Sequence, residues 1–231
     1  LIRAAELRSV STEYQRYQAA IQTFRDKYFA LPGDMTNATS FWGDQATGTA
    51  ACASGATPDG TPGTCNGDGN GFVGDGATTN GEGLRGWQQL ALAGLIEGSF
   101  SGSLTSGTTI EVGVNLPRAR LGNAVGWELL YRDTQTLNRI YGASSNFLLL
   151  GQRGGFTTDI WAPVIKPEEA WNIDTKMDDG KPGLGAVMAG SDSTLCVTPN
   201  SIDYDAAGAA NTNAAYNLTA TGNECRMWFK Y

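Results

Sequence analysis

The 231-residue chain contains no histidine, and that absence removes several chemistries at once. A Ser-His-Asp or Cys-His nucleophile system needs an imidazole base, so neither can be assembled. The four cysteines, Cys52, Cys65, Cys196 and Cys225, include no CxxC pair, so the spacing of a zinc site is missing as well. Charged residues make up only 17%, the net charge is −7, and basic residues nowhere run beyond one or two. Nucleic-acid binding needs clustered Lys and Arg to displace counterions, so no nucleic-acid partner is expected. Apolar runs all stop short of the roughly 20 residues that cross a bilayer, and no signal-peptide pattern is present. The first residue is Leu1, not Met, which reads as a processed or truncated start.

What is present points to one extracytoplasmic domain. The length suits a single core spanning 1–231, and 31 glycines suit a fold with much loop and strand. An even cysteine count without metal spacing reads as two disulfides in an oxidising compartment; buried free thiols in a cytosolic protein are the alternative. Short loop closure favours Cys52–Cys65, which leaves Cys196–Cys225 to tie the last strand to the body.

Residues 1 to 29 hold neither Gly nor Pro. Leu7, Val10, Tyr14, Tyr17, Ile21, Phe24 and Tyr28 recur at steps of three and four, one apolar stripe over four turns or more. Such a helix is about 43 Å long at 1.5 Å per residue. Pro32 then stops it, since proline disfavours helical geometry at the residue before it. Taken alone, the pattern also fits an ordinary amphipathic helix or a short coiled coil.

Residues 36–83 form a Gly-, Thr-, Asn- and Asp-rich loop region holding Cys52 and Cys65, too long for a simple connection. A second helix is expected from Glu82 to Glu97, with Leu84, Trp87, Ala91 and Leu95 on one stripe and Gly98 ending it. Helix and sheet fill the rest of 84–231. Strands are expected at 108–116, 146–151, 185–189 and 224–231, and a helix from Pro167, with proline at its first position and acid in its first turn.

Three strings resemble prepilin-type proteins, the type IV pilins and pseudopilins of bacteria. They are Phe24-Arg25-Asp26-Lys27-Tyr28-Phe29-Ala30-Leu31-Pro32-Gly33-Asp34-Met35, the Trp87-Gln88 helix with its Leu92-Ala93-Gly94-Leu95-Ile96-Glu97-Gly98 ending, and Ile173-Asp174-Thr175-Lys176-Met177-Asp178-Asp179-Gly180-Lys181-Pro182-Gly183. The resemblance implies an α+β fold, a long N-terminal helix packed on an antiparallel sheet with an elaborated loop region. It implies a structural subunit of a type IV pilus or a type II secretion pseudopilus, on the cell surface or in the periplasm. Its partners are other copies or related pilins, with the inner membrane and assembly machinery engaged through an apolar helix half expected just before Leu1. The family's cleavage-site glycine and early glutamate are missing here. The first helix, including Leu1, Leu7, Val10, Tyr14 and Tyr17, is expected to carry both core contacts and the filament interface. Rival readings are a minor pilin-like adhesin at a filament tip, binding carbohydrate or protein, and a secreted hydrolase.

The loop carries one candidate ion site. Asn66, Asp68 and Asn70 place side-chain oxygens at every second position, Gly71 follows, and the Phe72 carbonyl falls where an EF-hand-like loop uses a backbone ligand for calcium. Ala77 stands where the bidentate Glu belongs, so Glu82 is the expected substitute, with Asp75 as an additional carboxylate. Similar Asn-Gly-Asp-Gly strings before the Trp-Gln helix belong to the same resemblance. A turn without an ion is the alternative, because these residues favour turns by themselves.

Other patterns carry less. Gly69 to Gly74 matches GxGxxG but follows no strand and opens no helix, so it lacks the context of a dinucleotide site. Paired acids such as Glu168/Glu169 are read as solvated surface. Trp42, Trp87, Trp127, Trp161, Trp171 and Trp228 are read mainly as core, with an exposed patch as the adhesin's signature. No enzyme activity is expected.

Overall fold

The opening of the sequence, free of Gly and Pro, folds as one helix, α1 (Ile2–Tyr28). The computed structural model describes residues 2–45, 63–74, 81–105, 108–132, 145–155, 158–190, 195–198 and 214–231. The apolar stripe of α1 faces inward: Val10, Tyr14, Tyr17, Ile21 and Phe24 are buried, and Leu7 and Tyr28 pack half-buried on the same core. Tyr14 stacks on Phe229 at 5.0 Å, and Tyr17 meets Trp87 edge-on at 4.8 Å. The Tyr14 hydroxyl donates to the Lys230 carbonyl at 2.8 Å. At the other end Arg3 grips Glu169 with two donors, at 2.7 and 2.6 Å, which pins the first turn of α1 to a later helix.

Beyond Tyr28 the chain turns at Phe29 (φ 55°), and a short helix α2 (Thr39–Trp42) follows. The helix α3 (Glu82–Leu92) is buried almost throughout. It ends five residues earlier than its sequence suggests, because Gly94 takes φ 71° and the Leu95 N–H closes back on the Leu90 carbonyl at 3.0 Å.

Two long strands, β1 (Val125–Arg132) and β2 (Ser145–Gln152), precede α4 (Pro167–Met177). The helix α4 opens as expected, with Pro167 in its first turn and Glu169 accepting from the Lys166 N–H at 3.2 Å. Then come β3 (Val187–Gly190), β4 (Val197–Thr198), β5 (Ala215–Tyr216) and β6 (Arg226–Lys230). The main sheet has the order β1-β2-β6-β3 with every pairing antiparallel; β4 and β5 form a separate pair. Trp127, Leu129, Leu148 and Phe229 share the face that α1 covers, since pairing sets Leu129 opposite Leu148 and Leu148 opposite Phe229. The architecture is α+β.

Two sequence expectations need correcting. Residues 108–116 form no strand, only isolated bridges. Gly113 takes φ 92°, and the Asn115 side chain accepts from the Glu111 N–H while donating to the Ser103 carbonyl, which folds the segment into turns. Conversely β1, the edge strand paired with β2, lies where no strand is expected. It is buried on both faces, so the alternation that marks a half-buried strand is absent.

The Cys196–Cys225 disulfide is present and ties β4 to the entry of β6. Cys65 is buried and disulfide-bonded, while Cys52, its expected partner, lies outside the described residues.

Candidate metal centre

The stop after α1 and the start of α3 meet because of one glycine. Gly33 takes φ 93°, and a side chain there would press into the Glu82 carbonyl. Its N–H donates to Gln89 Oε1 at 2.7 Å, and Gln89 Nε2 donates to the Cys65 carbonyl at 3.1 Å. Residues 63–74 then run beside 33–36, with the Gly67 N–H on the Met35 carbonyl (2.8 Å) and the Gly69 N–H on the Asp34 carbonyl (3.0 Å). Asn146 of β2 clamps the far side, accepting from the Val73 N–H and donating to the Gly71 carbonyl.

This arrangement gathers three carboxylates, Asp34, Asp68 and Glu82, with one oxygen from each within 4.8 Å of the others. Asp34 and Glu82 are buried and Asp68 is exposed. Backbone donors hold them: the Gly71 N–H on Asp34 Oδ2 (3.0 Å), the Asp68 N–H on Glu82 Oε1 (3.1 Å) and the Gly74 N–H on Glu82 Oε2 (3.0 Å). Burial pushes the pKa of both Asp34 and Glu82 up, against those donors, and the neighbouring carboxylates push the same way. Asp34 Oδ1 is buried and has no hydrogen-bond partner among the described residues. The buried Tyr231 hydroxyl is likewise unpartnered there, and its pKa is driven far up by burial and by the charges of Asp34 and Glu82. Arg85, one turn along α3, is buried too, and desolvation lowers its pKa to about 10 while the Glu82 charge opposes that shift. Such a cluster is suited to a hard cation or a shared proton.

Of the expected ligands, Asp68 and Glu82 come together. Asn66 instead accepts the Thr39 N–H at 2.9 Å, a contact with the distant start of α2, while Asn70 makes local turn bonds, donating to Asp68 Oδ2 (2.8 Å) and accepting the Phe72 N–H (2.7 Å). The Phe72 ring stacks on Tyr131 at 4.1 Å, and Asp75 lies outside the described residues. Asp34 was missed. Its only sequence signal is its place in the helix stop, more than thirty residues before Asp68.

A second acidic group, Asp174, Asp178 and Asp179, differs in having its buried member fully engaged. Asp174 accepts from the Gly180 N–H (3.1 Å) and the Tyr216 hydroxyl (2.8 Å). Burial raises its pKa to about 6 despite these bonds, helped by the charges of Asp179 and Asp178. A buried acid with a raised pKa favours folding fully below its unfolded value and loses that contribution as pH rises through about 6. Wild type is therefore expected to gain thermal stability relative to Asp174→Asn when pH falls from 7.5 to 4.5. A melting-temperature gap that is constant over that range contradicts the assignment.

The residues expected at a filament interface have partners within this chain. Val10, Tyr14 and Tyr17 are buried in its own core, Leu7 is half-buried there, and Leu1 lies outside the described residues. A contact between copies along α1 must use the opposite face, where Ala4, Ala5, Arg8, Thr12, Gln15 and Ala19 are exposed. No described helix is long and apolar enough to cross a membrane. Compared with known proteins, the chain matches no family model, no curated protein and no solved structure.

Proposed function

We propose that this chain is a structural subunit of a bacterial surface or periplasmic filament, a type IV pilus or a type II secretion pseudopilus. The observation that carries this reading is α1: a 27-residue helix with one face in the core and the opposite face exposed along much of its length. At 1.5 Å per residue it offers a rod about 40 Å long for neighbouring copies. The three prepilin-like strings support the same reading. Its partners are copies of itself or related pilins, brought together at the inner membrane by assembly machinery. The fold is then pilin-like, with residues 63–74 packed between the end of α1 and the start of α3. The test is disulfide cross-linking of intact host cells carrying Ala5→Cys and Ala19→Cys on that free face. Ladders of covalent multimers are expected, and oxidised cells that yield only monomer count against the reading.

The tip-adhesin reading has one observation in its favour. Tyr28, Phe41 and Trp42 cluster at ring separations of 5.2 to 5.7 Å where α1 ends, and Phe29 beside them is 92% exposed. Exposed aromatics of this kind bind sugars or partner proteins.

A further inference from the structure

We propose that Asp34, Asp68 and Glu82 form a calcium site that fastens the end of α1 to the start of α3. The proposal does not depend on the filament reading, because it concerns one subunit alone.

Two independent observations carry it. First, three carboxylates from distant parts of the sequence present oxygens within 4.8 Å of one another. Two oxygens on one ion lie no further apart than twice the metal–oxygen distance, about 4.8 Å for calcium at ~2.4 Å. The cluster therefore admits calcium with little movement of the backbone. Second, Asp34 is only 4% exposed, yet its Oδ1 has no hydrogen-bond partner among the described residues. A buried carboxylate oxygen without a donor is costly, and an oxygen-seeking cation is what relieves it. The Tyr231 hydroxyl, which feels the charges of Asp34 and Glu82, is likewise buried without a partner among the described residues.

The ligand types select the class of ion. All are hard oxygen donors, with no histidine and no thiolate, which excludes the borderline and soft transition metals as the preferred occupant. Magnesium demands near-ideal octahedral geometry at about 2.1 Å and keeps most of its water. Carboxylates already held by the Gly71, Gly74 and Asp68 N–H groups are less able to close to that distance than calcium's wider, more irregular shell requires. The Arg85 guanidinium, adjoining Glu82, offsets part of the negative charge and keeps affinity modest. Binding in the range of extracellular modules, about 10⁻⁴ to 10⁻³ M, follows.

The test is calorimetric and thermal titration of the 231-residue chain after chelator treatment, with calcium and magnesium chloride as separate ligands. Calcium at 10 mM, about 100 times a dissociation constant of 10⁻⁴ M, multiplies the folded-to-unfolded ratio by about 100. The melting temperature then rises by about 5 °C or more. Asp34→Asn retains an amide oxygen for the Gly71 N–H and is expected to lose about tenfold or more in calcium affinity. Should that variant not fold, Asp68→Asn at an exposed position reads the same loss. Asp174→Asn is expected to respond to calcium like wild type. The proposal fails if calcium gives neither heat nor a melting shift, if both ligand variants keep the full response, or if magnesium matches calcium.

Discussion

Replacing Glu13 with alanine is expected to destabilise the protein by about 2–6 kcal/mol, the cost of leaving two donors without their acceptor. Glu13 sits in the fourth turn of α1, on its buried face, and is only 5% exposed. It accepts from Trp127 Nε1 at 2.9 Å and from the Arg120 N–H at 3.0 Å. Removing it leaves two donors without their acceptor, one of them the fully buried Trp127 indole, and each orphaned donor costs about 1–3 kcal/mol. The Arg120 guanidinium, 3.9 Å away and mostly exposed, adds little. Glu13→Gln retains an acceptor and is expected to lose much less, about 1 kcal/mol. Denaturant unfolding of the two variants checks the difference. A loss below about 1 kcal/mol for alanine shows that water or rearrangement satisfies both donors.

The second large effect belongs to the glycine at the junction. Gly33→Ala is expected to cost about 3 kcal/mol or more, from two sources. The left-handed backbone at φ 93° strains any side chain, by about 1–2 kcal/mol. The new methyl group also meets the Glu82 carbonyl and the Gly86 nitrogen, which are helix backbone and do not yield. Gly71→Ala separates the two contributions, since Gly71 has φ 85° with open space around it. Only the strain remains there, about 1–2 kcal/mol. Equal losses at the two positions contradict a close approach of the α1 stop to α3.

The sequence makes the helices legible for a physical reason. Helix α1 buries one stripe and so shows a 3.6-residue period, and α4 carries its start signals in Pro167 and Glu169. The last strand is legible through Met227 and Phe229. Residues with both faces buried carry no such alternation, which hides β1, and the apparent alternation of Ile110, Val112 and Val114 belongs to turns set by Gly113 and Asn115. The candidate site is half-legible. Asp68 stands in a recognisable spacing and Glu82 opens a helix, but Asp34 joins them only through the tertiary contact of Gly33 with α3. Asn66 and Asn70 satisfy the same spacing while bonding backbone and neighbouring side-chain groups, so spacing alone does not separate turn-forming residues from ligands.

The proposed filament built through the exposed face of α1 is open to imaging. Filaments sheared from host cells expressing the tagged gene product are examined by cryo-electron microscopy. A helical polymer is expected whose repeating density fits α1 on its four-stranded sheet, with Ala5, Arg8 and Ala19 facing neighbouring copies. Filaments that lack this subunit, in cells where it accumulates only as a dispersed monomer, contradict the account.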